Sequence, residues 1–248
     1  MVTSALFAGF AAGLLAALLH FAFVQKSILL AEQYETGALA HFAGGSAPNA
    51  GGSAPGVHDH TDPAQHADGH AHTGAQPSAT TRNALTVLFS ALVYVAYGLM
   101  LVAGFALAEN FGRRVTAREG LLWGMAGFAT VQLMPAMGLA PELPGSGAAD
   151  LQLRQIWWWG TVAATATGLG LLAYVRGVSA VVVAIVLLAA PHIIGAPLAP
   201  GFTGVVPPEL AATFTARVLG VGLVAWAVLG WLAGWFWSSG QSHSMTPR

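Results

Sequence analysis

The sequence predicts an all-α polytopic membrane protein: a single transmembrane domain over residues 1–248, built from six helices and interrupted by one long polar loop. Two observations carry that expectation. Charged residues make up 8% of the chain and hydrophobic residues 55%, whereas soluble domains carry about 25% charge. So few charges cannot hydrate the surface of a water-soluble globule. Six apolar stretches also approach the roughly 20 residues that a helix needs to cross a hydrocarbon core of about 30 Å. The same arithmetic removes other classes. A formal net charge of −1 with no basic cluster excludes a nucleic-acid binder. The absence of cysteine excludes disulfide frameworks, thiolate metal sites and cysteine nucleophiles.

The stretches are 4–24, 85–108, 120–139, 156–175, 178–195 and 214–237. The first lacks a basic n-region and outruns a signal-peptide core, so it is expected as a retained helix. The second and sixth are uninterrupted. The third holds Gln132, and the fourth holds Thr161, Thr165 and Thr167, but neither holds an ionised side chain. The fifth is short and contains Pro191 and His192, which suit a tilted, broken or re-entrant segment. Only Arg176 and Gly177 separate the fourth from the fifth, so the two form a tight hairpin if both span. Five spans is the fallback count.

Orientation follows the basic residues. With six spans, Arg113, Arg114, Arg118, Arg176 and Arg248 share the side of both termini, and Lys26, Arg82, Arg154 and Arg217 lie opposite. The concentration of arginine in the short connection at 109–119 places the termini in the cytoplasm of an inner-membrane protein. The acidic residues Glu32, Glu35, Asp59, Asp62, Asp68, Glu142, Asp150 and Glu209 then fall outside.

The connection between the first two stretches changes composition. From 44 to 81 it is Gly, Ala, Ser, Pro, Thr and His, with almost nothing able to form a core, and it reads as a disordered His-rich loop. It carries His58, Asp59, His60, Asp62, His66, Asp68, His70 and His72. Neutral imidazole ligates Zn, Cu, Ni and Co, and neighbouring carboxylates complete a shell or fix the tautomer. The plainer reading is a polar spacer. Ligation requires deprotonated imidazole, so metal binding to the loop is expected to weaken as pH falls below about 6.5. A metal titration of the full chain across pH checks this, and binding retained at pH 5 would point to the carboxylates instead.

Polar residues at membrane depth are expensive and usually face protein or an aqueous path. His20, Gln132 and His192 each precede the outer end of an outward-running span by a few residues, which places them at similar depth. Met134 lies beside Gln132, around Pro135. These four are the candidate transport pathway. Each has an ordinary alternative: a lone His bonds a carbonyl, and Met fills space. Glu32 and Glu35, three apart after the first stretch, and Glu142 in Pro141-Glu142-Leu143-Pro144-Gly145 form a candidate outer vestibule, where a ring of carboxylates draws divalent cations. Asp150 is expected either to hydrate a loop or to pair with Arg154.

Trp157, Trp158, Trp159, Trp235 and Trp237 sit at stretch ends and read as headgroup anchors. Gly9-x-x-x-Gly13, Gly120-x-x-x-Gly124 and Gly230-x-x-x-Gly234 permit close helix approach or self-association, without saying which helices meet. There is no phosphate-binding loop, no His-Glu-x-x-His pair and no serine nucleophile with a matched base, so an enzyme is not expected and neither is a prosthetic group.

Taken together, several segments resemble the CbtA family of proposed cobalt transporter subunits. They are Ala31-Glu32-Gln33-Tyr34-Glu35; Gln132-Leu133-Met134-Pro135 leading to Gly138-Leu139-Ala140-Pro141-Glu142; Asp150-Leu151-Gln152-Leu153-Arg154-Gln155 with Trp158-Trp159; and Pro191-His192-Ile193-Ile194-Gly195. The resemblance covers most of the membrane part. It implies uptake of cobalt for cobalamin synthesis, with a small single-span partner of the CbtB type that carries a His-rich end, and it is usually drawn with five spans. The leading expectation is therefore a divalent-metal permease subunit, with Co(II) as substrate ahead of Ni(II) or Zn(II). The alternatives are a metal-binding membrane component that conducts nothing and, last, a membrane enzyme with a His-ligated metal.

Overall fold

The computed structural model describes residues 2–41, 78–199, 201 and 204–244; the His-rich tract His58–His72, with all eight of its candidate ligands, lies outside them. Six helical rods run up and down. The first is α1 (Val2–Leu19) continued through a π-helical turn (His20–Val24) into α2 (Gln25–Glu35). The second is α3 (Ala79–Asn110). The third is α4 (Ala117–Phe128), a second π turn (Ala129–Leu133) and the short α5 (Met134–Ala136). Then come α6 (Leu151–Tyr174), α7 (Val178–Ile194) and α8 (Pro208–Ser244). Among the described residues the β-pairing is one isolated bridge, Ser146 with Gly204.

Local chemistry sets the ends. Ser78 caps α3 by accepting from the Thr81 amide at 3.2 Å, so this helix starts within the stretch 44–81 that composition assigned to the loop. Thr116 and Glu119 close a capping box on α4. Asp150 accepts from the Leu153 amide at 3.1 Å and caps α6. Gly177, at φ 126°, ends a three-residue turn, Val175–Arg176–Gly177, into α7, one residue longer than the sequence predicts. Pro135 has no N–H and crowds the carbonyl four residues back; the π turn precedes it and the rod ends after Ala136.

The bundle is packed by small residues and coated by large ones. Ala5, Ala8, Gly9, Ala12, Gly13, Ala16 and Ala17 form the buried face of α1, while Phe7, Phe10 and Leu18 on its other side are 65%, 53% and 66% exposed. Such a distribution suits helices that gain from close backbone contact and are wetted by lipid. A Cβ on Gly9 would lie 2.5 Å from Val95 Cα of α3. Gly120 and Gly124 meet Gly230 and Gly234, so backbone faces backbone between α4 and α8. Two of the three glycine motifs thus pair with each other. Phe105, Trp226, Leu229 and Trp237 fill the remaining core among α1, α3, α4 and α8.

Among the described residues, three helices are long and apolar enough to cross a membrane: Val2–Glu35, Ala79–Asn110 and Pro208–Gly240. α7 is a shorter apolar helix. The α6–α7 hairpin is peripheral. α6 docks on the third rod, and α7 contacts no helical element but α6. The tryptophans do more than anchor: Trp237 is buried and donates to Glu109 Oε1 at 2.7 Å, and Trp157 donates to the Pro191 carbonyl at 3.1 Å, pinning α7 to α6.

Candidate functional site

The loops before α6 and α8 meet at one end of the bundle. The Ser146–Gly204 bridge joins the loop before α6 to the loop before α8, and a Cβ on Gly145 would lie 3.3 Å from Glu35 Cβ. Val24, Ala31, Leu143, Val206 and Phe214 form a second small core beneath them. The opposite end carries Arg113, stacked over the Tyr174 ring at 5.8 Å.

At the first end a cavity of about 370 Å³ opens between the third rod, α6 and α8. Its polar lining is Gln132, Glu142, Arg154 and Gln155, with Trp158 and Trp159 on the α6 side. The second π turn puts Gln132 there. In that turn the Met134 amide donates to the Ala129 carbonyl, five residues back, and the wider turn re-aims the residues it contains. The Gln132 carboxamide lies against Gly222 of α8, where a side chain would collide with Oε1. Thr215 Oγ1 donates to the Pro141 carbonyl at 3.2 Å, which fixes the loop bearing Glu142 to α8. Arg154 Nη2 donates to Glu142 Oε2 at 2.8 Å.

Two polar atoms of this lining are buried without a partner, Gln132 Oε1 and Arg154 Nε. An unsatisfied buried donor or acceptor costs about 1–3 kcal/mol. Gln132 Oε1 lies against Gly222, which is not part of the lining, and the Glu142 carboxylate is held by Arg154, so a cation in the cavity would meet them only after the carboxamide turns and Arg154 lets go. Among the described residues no group of three or more His, Asp or Glu is placed to hold a metal ion.

The other candidates fall elsewhere. His20 and His192 do not line this cavity, and neither does Met134; of the four pathway candidates, Gln132 alone opens onto it. His20 is half-buried in the π turn of the first rod. His192 sits on α7, its ring 6.1 Å from that of Trp157, with Nε2 buried and unpartnered. His192 is kept from Gln132 because, among the described helices, α7 reaches the bundle only through α6. The vestibule carboxylates share one end but do not form a ring. Glu32 pairs with Arg82 at 3.6 Å, Glu35 lies at Gly145, and Glu142 pairs with Arg154. The expected Asp150–Arg154 pair is replaced, since the Asp150 carboxylate is engaged as the α6 cap.

Sequence reasoning missed three features. Both π turns hold a candidate pathway residue; Pro135 hints at the one bearing Gln132, and nothing hints at the one bearing His20. Arg217, counted only for orientation, donates from Nη1 to the Phe23 carbonyl at 3.2 Å and to Ser27 Oγ at 3.1 Å, fastening α8 to the first rod. A second hollow of about 430 Å³ beside it is lined by Lys26, Arg217 and Glu209, a more cationic setting that suits a metal ion less well.

The model of the family described as "Probable cobalt transporter subunit (CbtA)" matches residues 1–238. The chain belongs to the CbtA family. That membership and the helices long and apolar enough to cross a membrane make it a membrane protein with a role in cobalt transport, working as a subunit. No match emerged among curated proteins or among solved structures. The cavity is thus built from residues of the CbtA-like segments around Gln132, Glu142 and Arg154.

Proposed function

We propose that the chain is the membrane permease subunit of a divalent transition-metal uptake system, with Co(II) as substrate and cobalamin synthesis as its destination. The observation that carries the reading is the cavity, lined by Gln132, whose carboxamide oxygen has no partner, and by the Glu142 carboxylate, at the end of the bundle where the acidic residues gather. On this reading all six rods span an inner membrane, including the shorter α7 and the interrupted third rod, with both termini and the arginine-bearing connection in the cytoplasm. The His-rich loop then lies outside, collects metal when it is scarce, and delivers it to the cavity. Gln132 and Glu142 replace part of its hydration shell. His20, Met134 and His192 take secondary parts along other seams.

Inward movement of a divalent cation is favoured by about 4.6 kcal/mol per 100 mV of membrane potential, twice the value for a unit charge. The potential is therefore a sufficient drive without nucleotide hydrolysis in this subunit. A small single-span, His-rich partner of the CbtB type completes the system. Side-by-side uptake of Co, Ni, Zn and Mg isotopes by cells expressing the chain, with and without that partner, tests the reading. Accumulation of Co above Mg is the expected result. Metal binding without accumulation of any of the four, even with the partner, would favour a non-conducting sensor or assembly subunit.

A further inference from the structure

We propose that Arg154 is a cation latch on the cavity. Its guanidinium holds the place against Glu142 that an incoming divalent metal takes, so that metal binding exchanges one cation for the other. The inference deepens the transport reading and rests on it. Arginine meets a carboxylate best through two parallel bonds. Here a single bond, from Nη2 to Oε2 at 2.8 Å, joins the pair, and Nε stays buried without an acceptor. The latch is closed but poorly satisfied, and release of Arg154 to water at the cavity mouth hydrates Nε. Its side chain is 25% exposed and that of Glu142 34% exposed, so water already reaches both.

The other half of the exchange is also present. Gln132, whose Oε1 has no donor and packs against Gly222, lines the same cavity, and a turn of its carboxamide would bring that oxygen to an occupant. A divalent ion offers twice the charge of a guanidinium to the same carboxylate and can take the carboxamide oxygen as a further ligand. The latch also joins two parts of the bundle. Glu142 follows Pro141, whose carbonyl is held to α8 by Thr215, whereas Arg154 rides on α6 of the peripheral hairpin. Exchange therefore removes a tie between hairpin and core at the moment the cavity fills.

The test uses the full chain in lipid nanodiscs at pH 5.5, where free imidazoles are largely protonated. Co(II) is titrated against tryptophan fluorescence, since Trp158 and Trp159 line the cavity. Arg154→Gln should tighten Co(II) binding about tenfold. Arg154→Lys, which keeps the charge but not the planar fork, should tighten it by a smaller factor and serves if the glutamine variant does not fold. Arg154→Gln combined with Glu142→Gln should lose the gain. Unchanged affinity in the arginine variants that fold, or a gain that survives in the double variant, overturns the latch. Uptake measured in parallel separates the two claims. Altered affinity with no flux in any variant removes the transport reading and keeps the latch, while flux with unaltered affinity does the reverse.

Discussion

Gly124→Leu should strongly destabilise the folded bundle, whereas Gly220→Leu should leave its stability nearly unchanged. A Cβ on Gly124 would collide with the Trp226 carbonyl and lie 2.9 Å from Gly230 Cα, so the obstruction is backbone and cannot rotate away. The α4–α8 contact would have to separate, and Ala225, Trp226, Leu229 and Ala233 of the main core sit on the same helix. Overpacking typically costs about 1–3 kcal/mol, with a rigid backbone obstruction at the upper end, a large share of a typical stability of about 5–15 kcal/mol. Gly220 lies on α8 too, but nothing stands within 4 Å of a Cβ there. Thermal melting of both variants in detergent separates them. Equal melting would show that the glycine contact does not hold the bundle together.

The second large effect is on uptake. Gln132→Leu removes the unpartnered carboxamide from the cavity wall, and Glu142→Gln removes the carboxylate while leaving the Arg154 charge uncompensated beside the path. Each should lower the initial rate of Co(II) uptake about tenfold or more, corresponding to roughly 1.4 kcal/mol. The glutamine variant at position 142 should be the slower of the two, because a fixed cation then faces the arriving one. His20→Ala, Met134→Leu and His192→Ala should each change the rate by less than about threefold, under 1 kcal/mol. Their side chains do not line the cavity.

Much of this architecture was legible in the sequence, for physical reasons. Six apolar stretches correspond to six rods because so few charges leave lipid and protein as the only surroundings, and the Arg176-Gly177 turn follows from glycine alone being at ease at φ 126°. The length and apolarity of three rods mark them as membrane helices without further context. The rest depended on tertiary choices. Glycine motifs state that two backbones can approach, and only the folded chain shows Gly120 and Gly124 against Gly230 and Gly234. Depth along a span is one coordinate out of three. It placed His20, Gln132 and His192 level with one another, yet α7 stands outside the bundle. A π turn has no residue signature at His20, and four-residue spacing favoured Asp150 for Arg154 until the carboxylate of Asp150 was taken up as a helix cap. Glu142, twelve residues away across a loop, was left to pair with it.

The central claim is that the Gln132–Glu142 cavity is where metal enters the bundle, and Co(II) flux into proteoliposomes at a fixed inside-negative potential tests it most directly. Purified chain, with its partner if flux requires one, is compared with the Gln132→Leu/Glu142→Gln variant and with a His20→Ala/His192→Ala variant of equal thermal stability. The account predicts near-complete loss of flux in the first variant and near-normal flux in the second. Normal flux through the cavity variant, with loss in the histidine variant, would contradict it and move the pathway to the imidazoles.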